Sequence, residues 1–221
     1  MSLPLNPALS RRVVVLNGAA AGENASGFVA ALEDGRVVAE RRMSGRGAAE
    51  RLAIFVNEML DEAGWRDKPD AVVAVVGPGS FTGLRASLAL AQGLAMGYGV
   101  RGLGVTAGDA QRAMPGLSRA MCVSVARRNR CFVDDGIHPI RASAPADIVV
   151  PPSVPAVTGD ALAWLSDAQT GGARRVAYEE PAAEAIWKAA CTGPVHALEP
   201  IYVDPPEAKL PQQGLRPAPV G

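Results

Sequence analysis

A glycine-rich turn is the part of the sequence whose residue types and spacing come nearest to a chemical site. It reads GPGSFTGLR, from Gly77 to Arg85, and joins an apolar run to a long stretch of small residues. Turns of this kind bind phosphate groups in some proteins and carry a nucleophilic serine in others. The third alternative is a turn that shapes a surface for another protein.

None of the standard spacings for these chemistries fits the turn. A Walker phosphate loop requires a lysine, and the turn has none. A dinucleotide-binding fingerprint requires a glycine where Thr82 stands, since Gly83 comes one position late. A nucleophile elbow around Ser80 requires glycines in place of Pro78 and Thr82. We therefore predict no catalytic residues here.

The turn is nevertheless suited to a fixed backbone geometry. Gly77 and Gly79 allow angles that other residues avoid, and Pro78 restricts the chain between them. Ser80 or Thr82 can cap the following helix, which contributes roughly 1 kcal/mol. The free amides at the start of that helix could also attract an anion. From the residues alone, an ordinary strand-to-helix turn and a modest anion site both stay open.

The helix predicted over Thr82–Met96 has two distinct stripes. Apolar side chains occupy one of them: Leu84, Leu88 and Ala91. Small residues recur at every fourth position on the other: Ala89, Gly93 and Gly97. Because glycine inside a helix costs about 1 kcal/mol relative to alanine, Gly93 indicates that another backbone packs closely there. That backbone belongs either to the chain's own sheet or first helix, or to a partner.

The elements before this helix follow the order strand, hairpin, helix, strand. The run Arg12–Leu16 predicts a buried strand, and the Asp-Gly pair at 34–35 predicts a tight turn between two more strands. From Gly47 to Ala63 the period is helical, with apolar residues on one stripe: Leu52, Phe55, Val56, Met59 and Leu60. The apolar run Asp70–Gly77 predicts a strand covered on both faces. This order indicates an α/β fold with a mixed sheet, as in the ribonuclease-H-like unit.

The second half begins the same pattern with weaker signals. We predict a short strand at Arg101–Val105, a helix at Ala107–Met114 and a hairpin that turns at Arg127–Arg130. A proline-rich stretch from 139 to 159 is expected to wander over the surface. Two short helices are predicted after it, at Asp160–Asp167 and Pro181–Ala190.

The composition excludes several classes of function. The 221 residues include 22 Lys and Arg against 22 Asp and Glu, so no overall charge marks a dedicated nucleic-acid binder. The three cysteines lack a CxxC spacing and the two histidines lack an HxxxH motif, so we predict no disulfide framework, metal site or cofactor. No apolar run reaches the ~18 residues of a membrane span, and the first residues lack a secretory signal. We expect a soluble cytoplasmic protein without membrane contact.

The motif GPGSFTGLR, with the following ASLALAQGLAMG, resembles the signature of the TsaB family, formerly called YeaZ. Weaker likenesses lie in ERLAIFVNEML, VSVARRNRCFV and LEPIYV. The resemblance implies two ribonuclease-H-like lobes of the actin-like (ASKHA) class, the second degenerate. We assign residues 1–100 to the first lobe and 101–203 to the second, smaller one. The proline-rich tail, 204–221, is expected to be disordered.

The resemblance also implies a function. It implies a non-catalytic subunit that pairs with a TsaD-like subunit, which adds a threonylcarbamoyl group to N6 of the adenosine next to the anticodon. The tRNAs concerned read codons that begin with A. A TsaE-like ATPase joins the assembly, and this chain contacts the tRNA only indirectly. The helices of the first lobe form the interface, and the same face could form a homodimer. The partner-binding residues expected on this basis are Leu52, Phe55, Val56, Met59, Gly77, Pro78, Gly79, Ser80, Phe81, Thr82, Gly83, Arg85, Ala89 and Gly93.

The sequence departs from the family pattern at three places. Asn17 stands where an aspartate is common, and a neutral amide cannot supply the same charge to a hard cation, which argues against nucleotide binding. Gly47–Glu50 lacks the usual histidine-containing motif, and Asp204 stands where an arginine is usual. The contacts made by these segments are therefore expected to differ.

Three other interpretations stay open at this stage. Kinship of fold alone suggests a glycopeptidase-like hydrolase or an actin-like ATPase. A homodimeric interaction protein with an unrelated partner is a third alternative. The basic cluster of Arg127, Arg128 and Arg130 is either a solvated hairpin tip or a minor tRNA contact.

Overall fold

The computed structural model describes residues 11–19, 26–44 and 51–203. Its first sheet has five strands in the spatial order β3-β2-β1-β4-β5. Their bounds are β1 Arg12–Asn17, β2 Ser26–Glu33, β3 Arg36–Ser44, β4 Ala71–Gly77 and β5 Arg101–Thr106. The hairpin strands β2 and β3 run antiparallel to their neighbours, whereas β1, β4 and β5 are parallel. The predicted mixed sheet is thus confirmed.

The first hairpin turns at the two residues that the sequence indicated. Glu33 pairs with Arg36, and Asp34 and Gly35 between them have φ values of 51° and 78°. Positive φ at both central residues is the geometry of a type I′ turn, which an Asp-Gly pair favours. This turn fixes the register of β2 against β3.

Helices cover both faces of the first sheet. On one face lie α1, Leu52–Glu62, and α2, Phe81–Tyr98, which pack on alternate β1 side chains such as Val14 and Leu16. On the other face α3, Ala107–Arg112, and α5, Ala183–Thr192, pack on Val13 and Val15. Because successive strand residues point to opposite faces, a strand covered on both faces is apolar throughout. This explains the continuous apolar runs of β1 and β4.

The second sheet repeats the topology of the first. Its order is β10-β9-β6-β7-β8, with bounds β6 Met121–Ala126, β7 Arg130–Asp134, β8 Arg141–Ser143, β9 Ala156–Thr158 and β10 Arg174–Arg175. As in the first sheet, an antiparallel three-stranded unit continues into two parallel strands. The last three strands are very short, so this second ribonuclease-H-like unit is the degenerate one.

The structure corrects several expected boundaries. The stretch from 139 to 159 does not wander, because it contains β8, β9 and a 3₁₀ helix at Pro145–Asp147. These strands are too short to leave a period in the sequence. The helix expected over Asp160–Asp167 is a 3₁₀ turn at Leu162–Trp164, followed by the short helix α4, Asp167–Thr170. The start of the helix predicted from Gly47, and the tail 204–221, lie outside the described residues.

Two segments from the second half of the chain belong with the first sheet. Strand β5 pairs with β4, and α5 returns from the far end of the sequence to cover one face. A further segment binds the sheet edge, where His196 and Gly104 exchange two backbone hydrogen bonds of 2.8 Å. We propose that the first lobe comprises these elements in addition to the residues before 100.

Candidate partner-binding surface

The glycine-rich turn packs directly against the chain that follows β1. A Cβ atom on Gly79 would overlap the carbonyl oxygen of Ala19, and one on Gly83 would overlap that of Gly18. The amide of Ser80 donates to the Ala19 carbonyl at 3.0 Å. The glycines therefore allow two backbone segments to touch, which fixes the start of α2 on the end of β1.

Ser80 is the residue that caps α2. Its φ and ψ are −59° and 120°, and its hydroxyl accepts from the Gly83 amide at 3.4 Å. Thr82, the other candidate cap, lies inside the first turn and is exposed. Before the cap, Gly77 has φ +114°, a conformation that side chains rarely adopt. The strand-to-helix turn with ordinary capping is thus present as predicted.

The two stripes of α2 face in opposite directions. Its apolar stripe is buried in the chain's own core: Leu84, Leu88 and Ala91. Its small-residue stripe is exposed: Ala89, Gly93 and Gly97. Among residues 11–19, 26–44 and 51–203, no atom lies within 4 Å of a Cβ built on Gly93 or Gly97. The interpretation in which Gly93 packs on the chain's own sheet or first helix is wrong, and its face is open to a partner.

Apolar side chains extend this open face. Met96, one turn beyond Gly93, is 82% exposed, and Ile54 on the neighbouring helix α1 is 53% exposed. Large apolar side chains exposed next to a flat helical stripe are typical of interaction sites. We call the surface formed by Ile54, Ala89, Gly93, Met96 and Gly97 the helical face.

Several residues expected at the interface instead serve the chain's own core. Leu52, Val56 and Met59 are buried beneath α1, because the apolar stripe of an amphipathic helix packs on its own sheet. Phe55 is half-buried, and Arg51 lies over its ring at 4.7 Å. Gly77 and Pro78 are buried in the turn, whereas Gly79, Ser80 and Gly83 are half-buried there. We leave these residues out of the helical face.

At the first turn of α2 lies a second exposed cluster, which we call the cation–aromatic patch: Phe81, Arg85, Arg127 and Tyr202. The Arg85 guanidinium lies 3.9 Å from the Phe81 ring centroid, and its Nε donates to the Tyr202 hydroxyl at 2.9 Å. Arg127, from the exposed turn between β6 and β7, lies 5.7 Å from the same Phe81 ring. Three distant segments of the chain thus meet at one point.

Met96 and Tyr202 are surface residues that were not expected from the sequence. Met96 continues the small-residue stripe, so its spacing could have indicated it. Tyr202 carried no such signal, because 117 positions separate it from its hydrogen-bond partner Arg85. Only the path of the late segment, where the Ile201 amide donates to the Val76 carbonyl at 2.9 Å, brings it there.

A small cavity of about 60 Å³ lies between the two sheets. Its lining residues include Asn17, Gln111 and Asp160. Ligand pockets are usually several times larger, roughly 300–1,000 Å³. The Asn17 amide is already engaged: its Nδ2 donates to Glu180 at 3.1 Å and its Oδ1 accepts from the Ala19 amide at 3.1 Å. As lined by the described residues, this cavity is therefore smaller than a usual ligand pocket.

In the described part of the chain, the titratable groups give no sign of an activated nucleophile or metal centre. Burial raises the pKa of the Cys122 thiol to about 12 and that of Cys191 to about 11, so both stay protonated at neutral pH. Burial also raises the pKa of Asp160, although backbone amides such as that of Val125 oppose this. Across 11–19, 26–44 and 51–203, no three His, Cys, Asp or Glu side chains are grouped to hold a metal ion. Nor does that part of the chain contain a helix long and apolar enough to cross a membrane.

Comparison with solved structures decides the fold. YeaZ from Pseudomonas aeruginosa superposes with a TM-score of 0.66 at 24% identity, covering 86% of this chain and 99% of that one. The chain has the YeaZ fold. A second structure, described as an uncharacterized protein with similarity to peptidase YeaZ from Pseudomonas aeruginosa, gives 0.67 at 24% identity, covering 87% and 99%. The predicted α/β fold of two ribonuclease-H-like lobes is confirmed.

A family model agrees with this result. The model described as TsaD, tRNA N6-adenosine threonylcarbamoyltransferase, matches residues 42–144 of the YeaZ-like chain. That range includes the glycine-rich turn and all of α2. No curated protein sequence matches the chain. The resemblance to the TsaB (YeaZ) family is confirmed by the fold together with this match.

Proposed function

We propose that this YeaZ-like chain is a non-catalytic partner subunit in threonylcarbamoyladenosine formation. It would pair with a TsaD-like subunit that adds the threonylcarbamoyl group to N6 of the adenosine next to the anticodon, in tRNAs reading codons that begin with A. The YeaZ fold and the TsaD family-model match support this assignment. The single observation that carries it is the helical face, an exposed stripe of small and apolar residues with no partner in the described chain.

The helical face has the chemistry expected of a helix-to-helix contact. Ala89, Gly93 and Gly97 have no bulky side chains, so the backbone of another helix can approach α2 closely. Met96 and Ile54 supply the apolar area whose burial would favour association. Helices α1 and α2 contact each other, so both belong to the same layer on the sheet.

Self-association of the chain is expected to compete with its pairing to the TsaD-like subunit. A surface that accepts a helix from a related fold can also accept its own copy, and a two-fold dimer would bury the same face on both chains. We therefore propose that homodimer and mixed complex exclude each other. A TsaE-like ATPase would join the mixed complex, and the role implies a cytoplasmic location with no cofactor bound to this chain.

The engaged Asn17 and the small cleft support a subunit role over an actin-like ATPase or a hydrolase. An ATPase needs a carboxylate for the metal of its nucleotide, whereas Asn17 is a neutral amide that is bonded to Glu180. Burial raises the pKa of all three cysteine thiols, which is the opposite of what a nucleophile requires.

Light scattering on a size-exclusion column tests the proposal. The chain would be run alone, and mixed with the TsaD-like protein of the same cell, without RNA. A mixed complex is expected for the wild type, and Gly93→Phe is expected to weaken it at least tenfold, since the new ring would hold the helices apart. Ala168→Phe, at an exposed alanine of α4, is the matched control and should not change the complex.

Two outcomes would contradict the proposal. Unchanged separate peaks for the wild-type mixture, even with the TsaE-like protein and ATP added, would exclude the pairing. A mixed complex that tolerates Gly93→Phe would place the interface elsewhere. Circular dichroism of Gly93→Phe shows whether a loss of the complex comes from unfolding of the variant. An intact fold is expected because the position faces open space.

A further inference from the structure

We propose that the cation–aromatic patch binds a single-stranded segment of nucleic acid directly. The inference goes beyond the proposed subunit role, in which RNA is contacted only indirectly, and it does not rest on that role. It rests on the charge, the exposed rings and the fixed geometry of Phe81, Arg85, Arg127 and Tyr202.

The patch presents positive charge that the described part of the chain does not pair with a carboxylate. Neither Arg85 nor Arg127 forms an ion pair with any carboxylate of the residues that the structure describes. The 18-residue helix α2 begins at Phe81, so the positive end of its dipole points toward the same region. These groups are the ones that hold phosphates in protein–nucleic acid complexes.

The patch also presents ring surface to solvent. Phe81 is 39% exposed and Tyr202 is 44% exposed, and their ring centroids lie 6.1 Å apart at an interplanar angle of 43°. Unpaired bases stack on aromatic side chains and on arginine guanidinium planes. This stacking tolerates any base, because every base has a flat π face.

The geometry of the patch is fixed before any ligand arrives. Arg85 stacks on Phe81 and donates to Tyr202, which ties the first turn of α2 to the late segment of the chain. Arg127 reaches the same ring from the other sheet. A preorganised site loses less conformational freedom on binding.

Nucleic acid fits these features better than an acidic peptide does. Carboxylates would satisfy the two arginines but would leave the rings exposed, whereas each nucleotide carries both a phosphate and a base. The balanced overall charge of the chain does not conflict with this, because the attraction is local. We therefore assign the patch to a single strand, whose bases are free to stack.

Fluorescence anisotropy of a labelled oligouridine tests the proposal on the full chain, in the absence of the TsaD-like protein. Arg127→Ala and Tyr202→Ala are each expected to weaken binding about tenfold, the magnitude typical of a lost stacking contact. Arg127→Ala should also reduce the slope of log affinity against log salt by about 1. The control Arg119→Ala removes the same charge from an exposed position outside the patch and should change affinity less than about twofold.

The proposal is overturned by any of three results. In the first, the wild type does not bind the RNA at low salt. In the second, polyglutamate displaces the RNA as efficiently as unlabelled oligouridine does. In the third, Arg119→Ala and Arg127→Ala lose equal affinity for the RNA. Photo-crosslinking with 4-thiouridine RNA gives an independent readout, with adducts expected at Phe81 or Tyr202. Crosslinks confined to other regions would contradict it. Assembly with the TsaD-like protein is measured without RNA, and RNA binding is measured without the TsaD-like protein. The proposed subunit role and the proposed RNA site can therefore be disproved independently.

Discussion

Single residues of the same type have opposite surroundings in this molecule. Gly79 lies against the Ala19 backbone, so even a methyl group would collide with it. Gly93 faces open space in the middle of a helix. The first glycine is required by the fold, whereas the second reduces the stability of the isolated chain.

Gly79→Ala and Gly93→Ala should therefore shift the free energy of unfolding in opposite directions. We expect Gly79→Ala to destabilise by about 1–3 kcal/mol, because the turn must move away from Ala19. Gly93→Ala should stabilise by up to about 1 kcal/mol, since alanine is the better helix former. Urea denaturation of both variants measures this, and equal losses in the two would contradict the assignment of Gly93 to an open face.

A pH effect is expected from Asp135. Partial burial acts to raise its pKa, but hydrogen bonds from His138 and the Ile137 amide lower the pKa to about 2. The unfolded value is about 3.9, so this stabilisation is complete above that pH and is lost as pH falls toward 2. Asp135→Asn should remove less than about 1 kcal/mol at pH 7, because His138, which donates to the carboxylate, is largely exposed. Urea unfolding of both proteins at neutral and acidic pH should show the difference shrinking, and a constant difference would contradict the mechanism.

At the scale of elements, α2 performs two tasks with its two faces, and both depend on where it begins. Its apolar stripe completes the core, and its small stripe is exposed. Ser80 fixes the start through its cap to the Gly83 amide. A later start would remove Phe81 from the helix and displace it from Arg85.

Substitution of the two candidate caps tests this start point. Ser80→Ala should destabilise the chain by about 1 kcal/mol, the usual contribution of a helix cap. Thr82→Ala, at an exposed site within the first turn, should have an effect below about 0.5 kcal/mol. Thermal unfolding of the two variants distinguishes them, and a larger loss in Thr82→Ala would reverse the assignment.

Elements with strong local signals could be predicted from the sequence. Features whose structure is determined by tertiary contacts could not. The Asp-Gly turn, β4 and α2 were predicted closely, because turn chemistry and long apolar patterns are local. Strands β8 and β9 were missed, since three residues carry no period. The direction of the α2 small stripe required the structure, because packing on a sheet and packing on a partner need the same spacing. For the same reason the burial of Leu52, Val56 and Met59 could not be distinguished from an interface.

At the scale of the whole molecule, the two sheets are joined by a buried ion pair. Arg112 at the end of α3 binds Asp134 at the end of β7, with Nη1 and Oδ1 3.0 Å apart. Its Nη2 also binds Asp109 at 2.8 Å. Both Arg112 and Asp134 are nearly excluded from solvent, so the charges depend on each other.

Removal of one partner should therefore affect both lobes. Asp134→Ala leaves Arg112 partly uncompensated and should destabilise the chain by about 3–5 kcal/mol. Asp67→Ala, which removes an exposed carboxylate 3.9 Å from Arg12, should cost less than about 1 kcal/mol. Calorimetry measures both, and an equal effect of the two would contradict the structural role of the buried pair.

The return of α5 to the first sheet has a consequence for synthesis on the ribosome. Strands β1 to β5 emerge early, yet Ala183, Ile186 and Trp187, which cover one face of that sheet, are translated more than 75 residues after β5 ends. Until then the nascent first lobe would expose a row of valines, including Val13 and Val15. A chain interrupted before α5 is therefore expected to bind holdase chaperones or precipitate, whereas the complete chain closes its own surface.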